Sequence, residues 1–152
     1  MFMALARAAA QRIGDFNVQS LANTAWAFAT AGQSDASLFM ALARAAEQRI
    51  GDFNVQSLAN TAWAFATTGQ SDASLFMALA REAERHMGDF NEQDLANTAW
   101  AFATAGQSDA SLFRALARAA ERVGDFDAQG LANTAWAFAT ACLLYTSPSP
   151  RD

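Results

Sequence analysis

From Val55 to Thr67 the apolar residues fall three and four positions apart, with Leu58, Ala62 and Phe65 on one line and Ala59, Trp63 and Ala66 beside it. That period belongs to an amphipathic helix. Its stripe is too wide to face a single partner, so the pattern predicts a helix that touches a hairpin mate and a neighbour on either side. Thr68, Gly69 and Gln70 break the pattern, which resumes from Ala73 to His86 with Leu75, Phe76, Leu79 and Ala83. Two helices of about fourteen residues, each about 20 Å long, joined by about four residues, make an αα-hairpin.

The punctuation agrees with the pattern. Asn54 is a good N-cap for the first helix, and Phe53 and Leu58 have the spacing of a hydrophobic staple. Ser57 stands at the third helical position, where the next copy has Asp94, better suited to the positive helix end, and the last has Gly130, a less firm start. Ser71 or Asp72 caps the second helix. Gly51 follows Ile50 and is expected to close the preceding helix in the left-handed conformation.

The same phrase returns along the whole chain. Phe39, Phe76 and Phe113 recur 37 residues apart, and Phe2 opens a further copy. A unit of this length cannot bury its apolar face alone, so copies stack into a solenoid. The fold class is all-α, an α-α superhelix of helical hairpins. Seven helices are expected, from an opening second-type helix to a final first-type helix ending near Thr140, with the end units least stable. One residue is missing from the fourth unit: Phe39 to Gly51 spans twelve steps, whereas Phe113 to Gly124 spans eleven. Gly124 is expected to absorb the change locally. A stack of this kind offers one row of side chains per repeat on an extended surface, which suits a binding scaffold better than an enclosed active site.

Composition alters this picture at the two ends. Residues 1–141 carry the repeats, whereas the last eleven, CLLYTSPSPRD, hold the only Cys (Cys142), the only Tyr (Tyr145) and both prolines. This phrase resembles a translated transposase adapter from short-read library preparation, so residues 142–152 are expected to be a disordered, artefactual tail and are set aside. Met1 stands where later copies have Leu38, Leu75 and Leu112, so the frame is expected to open inside a helix of a longer protein. No targeting segment is legible. The net charge of −5 comes from ten arginines, no lysine and fifteen acidic residues, unlike a strongly basic nucleic-acid domain. No apolar run approaches a membrane span.

Two polar rows are candidates for function. Arg7, Arg44, Arg81 and Arg118 recur in register on the second helix. A ladder of guanidiniums can follow a phosphate backbone; alternatively, Glu47, Glu84 and Glu121, three residues further on, pair with it on a solvent face. A looser set is Arg12, Arg49 and Arg122, with His86 in the same row. Asn23, Asn60, Asn97 and Asn133 occupy a helix interior, where Asn is a poor choice and needs a reason. Either the amide bonds a neighbouring unit, or it is offered to a base edge or a peptide. Thr24, Thr61, Thr98 and Thr134 are expected to bond back to the preceding turn. The tryptophans at 26, 63, 100 and 136 read as core before they read as stacking platforms. No CxxC, paired metal-ligand spacing, phosphate loop or nucleophile–base pair is present. The sequence therefore predicts no enzyme, cofactor, metal or small-molecule substrate.

The phrases DFNVQSLANTAWAFATAG and SLFMALARAAEQRI, with LANTAWAFA recurring at residues 21–29, 58–66, 95–103 and 131–139, resemble the octotricopeptide and RAP-associated helical repeats. They are especially similar to the RNA-editing substrate-binding complex subunit 6 domain and to FAST-kinase-like leucine-rich regions. The resemblance spans residues 2–141. It implies an α-α superhelix that binds RNA, single-stranded by expectation, and assists its processing, stability or translation in mitochondria or chloroplasts. The acidic balance and the near-identity of the copies depart from a sequence-specific reader. An Ala-rich, net-negative surface leaves a protein–protein interaction scaffold as the alternative.

Overall fold

The computed structural model describes residues 2–70, 72–107, 109–123 and 128–146. It contains α1 (Phe2–Gln11), α2 (Val18–Thr30), α3 (Ala36–Gln48), α4 (Val55–Thr67), α5 (Ala73–Arg85), α6 (Glu92–Thr104), α7 (Ala110–Val123) and α8 (Ala128–Thr146). The described residues thus form eight α-helices where seven were expected, because an opening second-type helix, three pairs across the turns and a final first-type helix make four of each type. Short 3-10 turns at Ile13–Asp15, Ile50–Asp52 and Met87–Asp89 link one unit to the next.

The caps follow the sequence. Asn17, Asn54 and Asn91 each accept a bond from the backbone N–H three residues on, at 2.7–2.8 Å. The Asp94 carboxylate in turn accepts a bond from the Asn91 N–H, completing a capping box in that copy. Asp35, Asp72 and Asp109 cap the second-type helices at 2.9 Å. The left-handed residues are Gly32, Gly69 and Gly106, with φ of 72–74°. At these positions the N–H of Gln33, Gln70 or Gln107 reaches back to a phenylalanine carbonyl and closes a Schellman motif. Gly51 has no such conformation and sits inside a 3-10 turn, so the expected left-handed closure belongs to the other turn of the unit. Helix α8 runs past Thr140 to Thr146. The sequence supplies no glycine there, and Ala141, Leu143 and Leu144 are good helix formers. The turn that carries the one-residue deletion is helical to the end of α7 at Val123; Gly124 and the rest of the expected tail lie outside the described residues.

The helices form two layers. α2, α4, α6 and α8 pack closely side by side, while α1, α3, α5 and α7 meet their like neighbours more loosely. Alanines at 25, 62 and 99, each 1 % exposed or less, permit the close approach of the first-type helices. Tighter spacing on one layer makes it the inner side of the stack. Between the layers, each unit contributes an edge-to-face aromatic pair: Phe2–Phe28, Phe39–Phe65, Phe76–Phe102 and Phe113–Phe138, with centroids 5.0–6.0 Å apart. Leu38, Leu42, Leu75, Leu79, Leu112 and Leu116 fill the space around them.

Candidate nucleic-acid interface

On a first-type helix the residues at i, i+4, i+7 and i+11 share one face. In α4 these are Gln56, Asn60, Trp63 and Thr67, and in α2 they are Gln19, Asn23, Trp26 and Thr30. α6 repeats the set with Gln93, Asn97, Trp100 and Thr104. This is the solvent stripe of the layer. Gln19, Gln56 and Gln93 and Thr30, Thr67 and Thr104 are exposed; Asn23 and Asn133 are exposed, and Asn60 and Asn97 half-buried. None of the four asparagine side chains hydrogen-bonds another described residue, so the inter-unit bond considered for them is not made. Asn60 and Asn97 come together across a cleft of about 700 Å³ between α4 and α6.

The tryptophans were expected in the core. Trp26 and Trp136 are instead 46 % and 49 % exposed, while Trp63 and Trp100 are half-buried and pack against the core from its edge. The apolar period included them because Ala59 and Ala66 flank Trp63, but the ring belongs with Asn60 and Thr67 on the solvent side. Trp26 and Trp63 lie side by side in successive units, 6.5 Å between centroids and tilted by 35°. The threonines beside the asparagines also differ from expectation. Oγ1 of Thr61, Thr98 and Thr134 is buried and without a partner, because these side chains face the packed interior of the first-type layer. The hydroxyl that does bond back to the preceding turn is that of Thr68, to the Ala64 carbonyl at 2.8 Å.

Arg7, Arg44, Arg81 and Arg118 lie on α1, α3, α5 and α7, in the other layer, and all are exposed. The structure does not bring them to the asparagines. Nor do they pair with the glutamates three residues on. Ser74 Oγ donates to Glu47 Oε1 at 2.7 Å and Ser111 Oγ to Glu84 Oε1 at 2.9 Å, so these carboxylates tie one second-type helix to the next. Among the described residues none of the four arginines makes an ion pair. The looser arginine set is largely structural. Arg49 Nη1 donates to the Phe16 carbonyl of the preceding unit, and Arg122 Nη2 to the Met87 carbonyl at 3.2 Å. His86 takes a different partner: its Nε2 lies 3.3 Å from Oε1 of the buried Glu82, which also pairs with Arg85 at 3.2 Å.

The cleft between α4 and α6 is bordered by Asp52, Asp89 and Asp94, with His86 nearby. The stripe itself carries amides, indoles and hydroxyls and no charged group. Such a surface can donate and accept hydrogen bonds and offer π-faces, but it cannot neutralise phosphate. The apolar period by itself puts the tryptophans in the core and leaves the glutamines unmarked; a strict count of the i, i+4, i+7 face from Gln56 recovers both. Among the described residues no group of three or more His, Cys, Asp or Glu could hold a metal, and no helix is long and apolar enough to cross a membrane.

No curated protein matches the chain. A family model described as RNA-editing substrate-binding complex 6 protein matches residues 1–146, and the chain belongs to that family.

Proposed function

We propose that the stripe of Gln, Asn, Trp and Thr along the first-type layer is where this scaffold holds single-stranded RNA. Family membership supports an RNA-binding helical-repeat scaffold, not an enzyme, and an organellar setting. The finer reading is an assistant of RNA processing, stability or translation in a mitochondrion or chloroplast. The observation that carries the site is the row of asparagine amides without partners among the described residues, one per unit, each three residues before a partly exposed tryptophan. Base edges require amides of this kind, and every base presents a face to an aromatic ring. Residues 1–141 form the binding array, and Cys142–Asp152 lie outside it.

The arginine ladder has a separate task. Arg7, Arg44, Arg81 and Arg118, on the other layer, form a separate track that attracts RNA phosphate beyond the stripe, indifferent to base sequence. A protein partner remains the second reading because Asp52, Asp89 and Asp94 border the cleft and would suit a basic peptide. The test measures RNA binding by anisotropy across a salt series. Replacing Arg44, Arg81 and Arg118 together by Gln should weaken all RNAs alike and lower the salt slope by about 0.7 for each single-strand phosphate no longer neutralised. Failure of the natural-sequence chain to bind any RNA at low salt would refute the RNA reading.

A further inference from the structure

We infer that the stripe prefers a run of adenines, bound bases-inward with one base against each Asn–Trp pair; this rests on the RNA-binding reading above. The first ground is identity. The exposed face presents the same groups in each unit: Asn23, Asn60, Asn97 and Asn133, each followed three residues later by a tryptophan. Four copies of one reading group select four copies of one base.

The second ground is hydrogen-bond chemistry. A carboxamide sets a donor and an acceptor side by side, which complements the N6 amino group and N7 of adenine. Guanine offers two acceptors on the same edge and suits arginine instead. Uracil and cytosine can also meet an amide through their pairing edges, but each brings a smaller ring to the indole. Without bonds to other described residues, these asparagine side chains can serve a ligand without breaking an existing contact.

The third ground is the placement of the rings. Trp26 and Trp63 lie side by side in successive units, 6.5 Å between centroids and tilted by 35°, so neighbouring units offer adjacent π-faces to adjacent bases. The stripe also lacks a cation, so stacking and amide contacts must supply the recognition there while the phosphates point away.

The experiment uses the whole chain with labelled oligo(A), oligo(U), oligo(C) and a mixed sequence, each of about twelve nucleotides. Anisotropy and intrinsic tryptophan emission are read in the same titration. Emission is a direct report because the chain's 4 tryptophans are all in this row. Oligo(A) should bind at least about tenfold more tightly than oligo(U) or oligo(C), within the discrimination of one or two amide–base contacts, and should quench the emission. In the double variant Asn60→Leu with Asn97→Leu, the preference for oligo(A) should fall below about threefold, while quenching persists. Trp26→Phe, a conservative change at an exposed ring, should retain circular dichroism but weaken oligo(A) binding and reduce the quenching amplitude.

Binding without quenching, or equal affinity for the three homopolymers, would overturn the inference and leave the RNA scaffold standing. An unchanged oligo(A) preference in the double asparagine variant would remove the amides from recognition. No binding of any oligonucleotide would overturn both readings.

Discussion

Thr61→Val tests the most unusual feature of the first-type layer, a hydroxyl buried without a partner. Thr61 is 2 % exposed, and its Oγ1 bonds nothing in the structure. Leaving a buried hydroxyl unpaired costs about 1–3 kcal/mol. Valine keeps the shape and the β-branch, replaces the hydroxyl by a methyl, and has nearly the same helix propensity as threonine. The exchange should therefore stabilise the chain by about 1–2 kcal/mol, since only the desolvation cost is removed. For a protein of this length, that corresponds to a rise in Tm of about 2–8 °C. Thr98 is 3 % exposed with the same unpartnered oxygen, so changing both should reach about 2–4 kcal/mol. Urea unfolding is the appropriate assay, with the midpoint rising at constant slope. Thr67→Val on the exposed stripe is the control, expected to stay within about 0.5 kcal/mol. A loss of more than about 0.5 kcal/mol in Thr61→Val would refute the reasoning. It would show that the hydroxyl makes a bond to the preceding turn that stabilises the fold.

Gly69→Ala should cost about 1–2 kcal/mol, because Gly69 has φ of 74° and an alanine there is strained although no atom blocks its Cβ. Gly51→Ala should be neutral or stabilise by up to about 1 kcal/mol, since that residue is not left-handed and its Cβ would also meet open space; thermal unfolding of the two variants side by side is decisive. Arg49→Met keeps the aliphatic stem but removes the strut to the Phe16 carbonyl. It should cost about 1–2 kcal/mol and speed amide exchange in Ile13–Asp15, whereas Arg12→Met should change little, its ion pair with Asp15 being exposed and 4.0 Å long.

Most of the fold is readable in the sequence because local and global signals coincide in every unit. The N-cap residues, the apolar periods and the A-G-Q or T-G-Q turn all mark the same boundaries. Gly51 is ambiguous for a physical reason: a glycine after a helix fits either a left-handed cap or a 3-10 turn, and its type does not distinguish them. Trp63 posed a similar ambiguity. Its position at the edge of a wide apolar stripe fits core and solvent face alike, and the close packing of neighbouring first-type helices decides between them. The arginines show what a single unit cannot reveal. Glu47 is three residues from Arg44, yet its carboxylate meets Ser74 in the next helix because the stacking brings that hydroxyl within 2.7 Å. Contacts between copies depend on the pitch of the stack, which no one copy encodes.

The stack separates two kinds of side chain that the sequence interleaves every few residues. The cations fall on α1, α3, α5 and α7, and the amides and indoles on α2, α4, α6 and α8. A single row carrying both would let phosphate attraction dominate and make every RNA a ligand, since electrostatic binding is indifferent to sequence. Placing the arginines in the other layer leaves the inner stripe to neutral contacts, whose strength depends on the base presented. The acidic border at Asp52, Asp89 and Asp94 sharpens this separation by repelling phosphate from the mouth of the cleft. Near-identical units then multiply one weak preference, because every additional base of the same kind meets the same pair of side chains. The repetition limits the variety of sequences this surface can distinguish, and raises its discrimination for a tract.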